Sequence, residues 1–288
     1  MATESTTKVP GWLRTHPQLQ KRGIVTLGDC LQPGAVWRTN VMEPPIWVVK
    51  IVEPGNQEAV IYQRLQRNPC RRNHTVPCDI IDSEGQKTIL LMPQVRSLAA
   101  ARLSRWPLSK VMDVFLQVVE GVEYLHEQRI AHMDICDGNT RMATDWEVKM
   151  DRRLAAERAY IIDFGTSRQL SLGPGVQTAM PLLYAQVPRP RDMDYFDPYS
   201  WDVYCLGKLL ENMAQFVYRD SMSPPWIIRG VTKWLVGEEQ GCRQVCHCRP
   251  TARRARQVLT VLCWAVRASD WFTGVVTRAG NIFLRSST

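Results

Sequence analysis

The chain has 288 residues, 45% hydrophobic and 22% charged, enough for one two-lobed domain or two small ones with a sizeable buried core. Nine cysteines, an odd number scattered from Cys30 to Cys263, do not form the dense paired framework of a small secreted scaffold, so a reducing cytoplasmic or nuclear setting is expected. The longest apolar-rich stretch, Val258–Val266, is too short to cross a bilayer, and the polar start MATESTTKVPGW carries no signal-peptide pattern, so no membrane partner is expected.

In chain order, residues 1–23, polar and broken by Pro10 and Pro17, read as a flexible N-terminal tail. Residues 24–95 are strand-rich. Ile46–Val52 is an apolar run interrupted only by Lys50, the pattern of a strand buried on both faces. Glu58–Gln66 reads as a short helix with Ala59, Tyr62 and Leu65 on one face. Asp79–Asp82 and Lys87–Met92 flank a Ser83-Glu84-Gly85-Gln86 hairpin turn. Residues 96–270 are helical in character, and residues 271–288 read as a C-terminal tail. Ser109 is an N-cap candidate for a helix reaching His126, with Met112, Phe115, Val119, Val122 and Leu125 on one face. Asp202–Phe216 repeats that pattern with Val203, Leu206, Leu210 and Met213. The net charge of +8 is densest at Arg249, Arg253, Arg254 and Arg256, which read as a solvated helix face, so a nucleic-acid partner is not expected.

Three motifs carry chemistry. HMDICDGN at His132–Asn139 sets an aspartate and an asparagine five residues apart on a loop, and IIDFG at Ile161–Gly165 ends an apolar strand in an aspartate–glycine turn. DVYCLG at Asp202–Gly207 opens an amphipathic helix. Upstream, Lys50 sits inside an apolar strand, where an ammonium is costly unless it meets an anion.

This ordered set, with WVVKIV at Trp47–Val52 and RPTARRA at Arg249–Ala255, resembles the eukaryotic protein-kinase superfamily over about residues 24–265, and most of all divergent fungal protein-kinase-like domains. The resemblance implies an α+β, two-lobed fold with a small β-rich N-lobe and a larger α-helical C-lobe. It implies ATP and Mg2+ as cofactors and a protein substrate. Lys50 would hold the α- and β-phosphates and pair with Glu58, with Glu53 as the alternative partner. Asp134 would orient or deprotonate the acceptor hydroxyl, Asn139 and Asp163 would ligate magnesium, and Asp202 would anchor the Asp134 loop from below. Met92-Pro93-Gln94-Val95 aligns with the hinge, where the Pro93 carbonyl and Val95 N–H would meet adenine. Val36 and Val48 would roof the base, and Gly34 is the surviving glycine of the phosphate loop.

The chain departs from that family in four places. Leu27–Val36 lacks the repeated glycines, so fewer backbone N–H groups approach the phosphates. Met133 replaces the arginine that reads a phosphorylated activation segment, so Thr166, Ser167, Ser171 or Thr178 need not be a switch. Cys136 replaces a lysine on the γ-phosphate, removing a charge beside the transferred group. Pro188-Arg189 replaces proline–glutamate, so Arg249 needs another acceptor, expected from Asp192, Asp194 or carbonyls of the 185–194 loop. An insert, 143–159, precedes the Asp163 turn. The Cys242, Cys246, His247 and Cys248 cluster reads as reduced thiols rather than a zinc site. Three functions follow: an ATP-dependent Ser/Thr protein kinase of modest efficiency, a pseudokinase scaffold, or a small-molecule kinase. The third normally lacks the RPTA-type and DVYxLG helices. Oligomeric state and the identity of the substrate are not encoded legibly.

Overall fold

Alternation along one strand organises the N-terminal part of the computed structural model, which describes residues 7–67, 69–82, 87–98, 106–182, 184–190, 194–219, 223–237 and 245–285. Strands β1 (Leu27–Gln32), β2 (Val36–Thr39), β3 (Trp47–Val52), β4 (Asp79–Ile81) and β5 (Thr88–Pro93) form an antiparallel sheet in the order β1-β2-β3-β5-β4. Along β3, Val49 and Ile51 point to one face and Val48, Lys50 and Val52 to the other, the period of two of a strand covered on both sides. Helix α3 (Glu58–Arg67) covers the second face with Ile61, Tyr62 and Leu65. Residues 83–86, the expected hairpin turn, lie outside the described residues.

The other face is covered by what the sequence suggested was a loose tail. Short helices α1 (Gly11–Arg14) and α2 (Pro17–Lys21) bury Val9, Leu13, Leu19 and Ile24 against Trp37, Val49, Ile51, Ile89 and Leu91. The four apolar residues are spread among prolines and charges with no regular period, and no periodicity argument could have found them.

After β6 (Arg96–Ser97) the chain is mainly helical: α4 (Leu108–Glu127), α5 (Asp145–Met150), α6 (Pro198–Val217), α7 (Trp226–Val236) and α8 (Ala252–Arg285). Between them lie short strands β7 (Ile130–Ala131), β8 (Thr140–Met142), β9 (Ala159–Ile161), β10 (Arg168–Gln169), β11 (Met180–Pro181) and β12 (Tyr195–Phe196). Strands β6, β8 and β9 form a three-stranded sheet, and β7 pairs with β10. This is a mixed fold, β-sheet first and helical after, with the two-lobed layout of kinases.

Three element ends differ from expectation. Helix α4 starts after Pro107 with no side-chain cap, so Ser109 lies in its first turn rather than at the cap. Helix α6 begins four residues before Asp202, where Asp197 Oδ1 accepts from the N–H groups of Tyr199 (3.0 Å) and Ser200 (3.2 Å) and Pro198 takes the first helical position. Helix α8 continues through Arg285, so residues 271–285 are not a separate tail. It lies along α4 through Ala252, Ala255, Leu259 and Cys263. Arg256 pairs with buried Glu123 and Arg249 is enclosed, leaving Arg253 and Arg254 as the exposed members of the basic run. Among the described residues no helix is long and apolar enough to cross a membrane.

The 143–159 insert is ordered structure. Thr144 and Glu147 form a reciprocal capping box at the start of α5, and buried Glu147 accepts from Arg96 Nε at 2.7 Å, tying the insert to β6. Arg153 bridges Asp151 and Asp79, each at 2.7 Å, and so joins the insert to β4.

Candidate functional site

Strand β3 delivers Lys50 to the space between the lobes, and two carboxylates meet it. Lys50 Nζ lies 2.8 Å from Glu58 Oε1 and 2.7 Å from Asp163 Oδ1. The Asn56 side chain caps α3, accepting from Glu58 N–H at 2.8 Å, and so places Glu58 at the first turn pointing inward. Glu58 is 1% exposed, and its Oε1 also accepts from Phe164 N–H at 3.1 Å. Burial pulls the Lys50 pKa down, but Glu58 and Asp163 together outweigh it and leave it above the ordinary lysine value. Burial likewise raises the Asp163 carboxyl, yet Lys50 and the Gly165 N–H hold it below the ordinary aspartate value. The alternative partner, Glu53, pairs instead with Lys87, because it leaves the sheet edge on the solvent side.

Asp163 occupies left-handed backbone space (φ 64°), unusual for a non-glycine residue, and the ion pair with Lys50 fixes the turn. Phe164, fully buried, packs edge-on to Tyr62 with ring centroids 4.9 Å apart, so the turn is wedged beneath α3. A Cβ on Gly165 would stand 3.1 Å from Asp163 Oδ1 and 3.4 Å from Lys50 Nζ, which explains glycine there.

The loop holding Asp134 hangs from a buried carboxylate. Asp202, without solvent exposure, accepts from the N–H groups of His132 (2.8 Å) and Met133 (2.7 Å) and from His126 Nε2 (3.0 Å). Met133 also has positive φ (71°), and its carbonyl accepts from the Trp201 indole at 2.9 Å. The 3-10 turn Asp137–Asn139 brings Asn139 Nδ2 to the Asp134 carboxylate, at 2.9 Å from Oδ2. That use of the amide nitrogen leaves the side-chain Oδ1 of Asn139 as the atom that could ligate a metal. Gln186 takes the rest of Asp134: its N–H reaches Oδ1 at 2.9 Å and its side-chain amide reaches Oδ2 at 2.7 Å. Nothing in the sequence singled out Gln186, which carries no motif and acts across 52 residues of chain. The Cys136 thiol is pushed up to about 11 by burial, with Asp134 adding to it, so it is neutral at pH 7.

Between the lobes lies a cleft of about 550 Å³. Its lining includes Val36, Val48, Lys50, Met92, Pro93, Val95, Asn139 and Asp163 from the sequence reading. Gly34 stands apart: it forms the β1–β2 turn (φ 73°), while Leu31 and Gln32 line the cleft. Asp134 is 4% exposed beneath Gln186. The lining adds Arg141, which no motif flagged. Asn139 and Asp163 are hard oxygen donors on one wall, a set that suits magnesium when completed by phosphate oxygens and water.

Arg249 finds its acceptor elsewhere than expected. Its Nε donates to the Val236 carbonyl at 2.7 Å at the end of α7, and its guanidinium lies 5.0 Å from the Tyr204 ring centroid. The last carbonyls of a helix have no intrahelical partner, which leaves the Val236 carbonyl open to the guanidinium. Asp192 lies outside the described residues, and Arg189 turns to the Leu182 carbonyl at 3.5 Å. Cys242 also lies outside them, while the thiols of Cys246 and Cys248 stand 3.1 Å apart.

No family model matches the chain. It is 27% identical over 172 residues to serine/threonine-protein kinase stk11 of Xenopus laevis, covering 57% of this chain and 38% of that protein. It is 29% identical over 110 residues to serine/threonine-protein kinase par-4 of Caenorhabditis briggsae, covering 36% of this chain and 15% of that one. Mitogen-activated protein kinase kinase kinase 15 of Mus musculus is 29% identical over 201 residues, covering 67% of this chain and 14% of the mouse protein. The chain therefore spans less than two fifths of the length of these relatives. Together with the two-lobed layout, these likenesses to serine/threonine protein kinases support a protein-kinase-like superfamily.

Proposed function

We propose that the chain is an ATP- and magnesium-dependent phosphotransferase acting on serine or threonine hydroxyls of a protein, with its site in the inter-lobe cleft and its setting in the cytoplasm or nucleus. The observation that carries this reading is the assembly of Lys50, Glu58 and Asp163 within 2.8 Å contacts at the cleft wall that also holds Asn139. A charge triad built on the buried Glu58 and opening to the cleft at Asp163 is hard to account for by stability alone, since apolar residues would cover Glu58's place at lower cost.

Lys50 would hold phosphate oxygens, and Asn139 and Asp163 would bind the magnesium that neutralises charge developing on the transferred group. The base would lie between the ceiling of Val36 and Val48 and the edge offered by the Pro93 carbonyl and Val95 N–H. Asp134 would accept the hydrogen bond of the incoming hydroxyl once Gln186 yields an oxygen. A pseudokinase reading draws on Cys136 and the absent glycines, which leave fewer cations and N–H donors around the phosphates.

Incubation with γ-labelled ATP, magnesium and generic protein substrates tests both. Transfer that Asp134→Asn lowers by about two orders of magnitude, with ATP affinity within a few-fold, supports the enzyme. Asp163→Asn should weaken magnesium-dependent ATP binding and abolish transfer together. Equal binding and no transfer in the parent and both variants would leave the scaffold reading.

A further inference from the structure

The cleft carries one cation for which neither the kinase-like site nor a carboxylate among the described residues accounts. Strand β8 turns Thr140 and Met142 into the core and Arg141 out into the cleft, where it is half-buried among Val48, Val95 and Ile162. Three other cations line the same cleft, and each has a carboxylate: Lys50 has Glu58 and Asp163, Arg38 has Asp29, and Arg96 has Glu147. Arg141 pairs with no carboxylate among the described residues. Burial lowers its pKa from the ordinary guanidinium value, and the group felt to oppose this is the thiol of Cys136, which is neutral at pH 7. A guanidinium does not shed its proton in a protein, so this charge is held in a partly desolvated place with no counter-ion among the described residues.

Register fixes where it stands. Arg141 is paired with Ser97 on one side and Tyr160 on the other, two residues after Asn139, which closes the 3-10 turn before the strand. Thr140 between them is extended, so Arg141 starts roughly 7 Å from the asparagine, and both line the same cleft as Asp163. We propose that Arg141 is an anion-binding residue of this cleft, taking non-bridging phosphate oxygens of a bound nucleoside di- or triphosphate and supplying from the cleft floor the positive charge that Cys136 does not. The inference rests on the nucleotide reading for the ligand's identity, but not for the anion. Arginine suits the task because its planar fork donates two hydrogen bonds to one phosphate.

Titration calorimetry on the full chain tests it with four probes: MgADP, MgATP, adenosine and tripolyphosphate. Arg141→Leu and Arg141→Gln should each weaken MgADP and tripolyphosphate binding about tenfold or more and leave adenosine within about twofold. Arg141→Lys should retain most of the phosphate affinity. Without ligand, Arg141→Leu should melt at or above the parent temperature, which separates lost binding from lost folding; Arg141→Gln carries the test if the leucine variant does not fold. Equal losses for adenosine and MgADP would make Arg141 a floor for the base and overturn the proposal, and tighter MgADP binding by the leucine variant would make it a plug and do the same. If the parent binds MgADP and the variants match it, Arg141 fails while the nucleotide site stands. If the parent binds tripolyphosphate through Arg141 but no adenine nucleotide, the nucleotide reading fails and the anion site stands. A parent that binds none of the four overturns both.

Discussion

Asp202→Asn should be among the most damaging conservative changes in this chain, although residue 202 touches no ligand. The carboxylate is fully buried and takes three N–H donors, two from the backbone of the Asp134 loop and one from His126. Asparagine fills the same volume but offers one acceptor oxygen, so its amide must face a backbone N–H, donor against donor. Losing a charge-assisted bond costs about 1.5–3 kcal/mol, and stranding a buried donor costs about 1–3 kcal/mol more. Met133, held at φ 71° by that carboxylate, can relax toward ordinary space and return a fraction of its strain. The expected net loss is roughly 3–5 kcal/mol, a large share of the ~5–15 kcal/mol typical of a folded domain. Urea unfolding followed by tryptophan fluorescence reads it directly, with an unchanged slope marking a pure stability change. A loss under about 1 kcal/mol would mean that the loop holds its shape without Asp202, and the argument for a suspended loop would collapse.

Gly207→Ala should destabilise by about 1–3 kcal/mol in the same assay, because its Cβ would stand 2.8 Å from both the Val236 backbone nitrogen and Cγ2 where α6 meets α7. Gln186→Ala should leave ATP affinity unchanged and raise acceptor kcat/KM about threefold or more by removing one of the two amide donors on Asp134 Oδ2; a fall would make Gln186 a positioning group. The Asp163 carboxyl sits below its ordinary value, so its contribution to stability is present above the unfolded pKa and is lost as pH falls through the folded one. The stability gap between the parent and Lys50→Met should therefore be widest near pH 6 and close as pH falls toward 2; a gap that does not change with pH would show that the pair adds nothing.

What could be read in advance was what a short stretch of chain determines. Lys50 announces itself because a lone charge in an apolar strand is costly, and Glu58 stands in register with Tyr62 and Leu65 on a helix the same eight residues define. Asp202 was legible as an anchor only through the family resemblance, but its three N–H partners show the physical cause. Contacts made across long sequence gaps were not legible: Gln186 on Asp134, Val236 on Arg249, and the α1–α2 segment against Trp37 and Val49. Other misses had a local signal. Asp197-Pro198 before α6 and Thr144 with Glu147 at α5 are cap patterns in plain view, and an Asn56 cap stands just before Glu58. Arg141 had the weakest signal of all, one charge in a short apolar-polar strand, and only the shape of the cleft gives it meaning.

The lost charges also change how the segment after Gly165 is held. A phosphate-reading arginine would order this segment through an ion pair, but position 133 is methionine, and neutral contacts take over. Thr166 and Ser167 hydroxyls both donate to the His132 carbonyl, at 3.2 and 3.0 Å. Strand β10 pairs with β7, Leu170 N–H reaches the Arg129 carbonyl at 2.8 Å, Arg129 returns a bond to the Ser171 carbonyl at 2.9 Å, and the Tyr199 hydroxyl donates to Leu172 at 2.8 Å. Ser167 is 1% exposed, so a phosphate there would lose its donor, meet a carbonyl oxygen and bring close to two negative charges into a buried corner. Phosphorylation at that position opposes the fold instead of completing it. The same economy recurs at Arg249, which exchanges a carboxylate for the end of α7 and the face of Tyr204. At both positions a neutral acceptor answers the missing ion pair, and the loop of Asp134 keeps one charged support, the Asp202 carboxylate, which is buried and so little screened by salt.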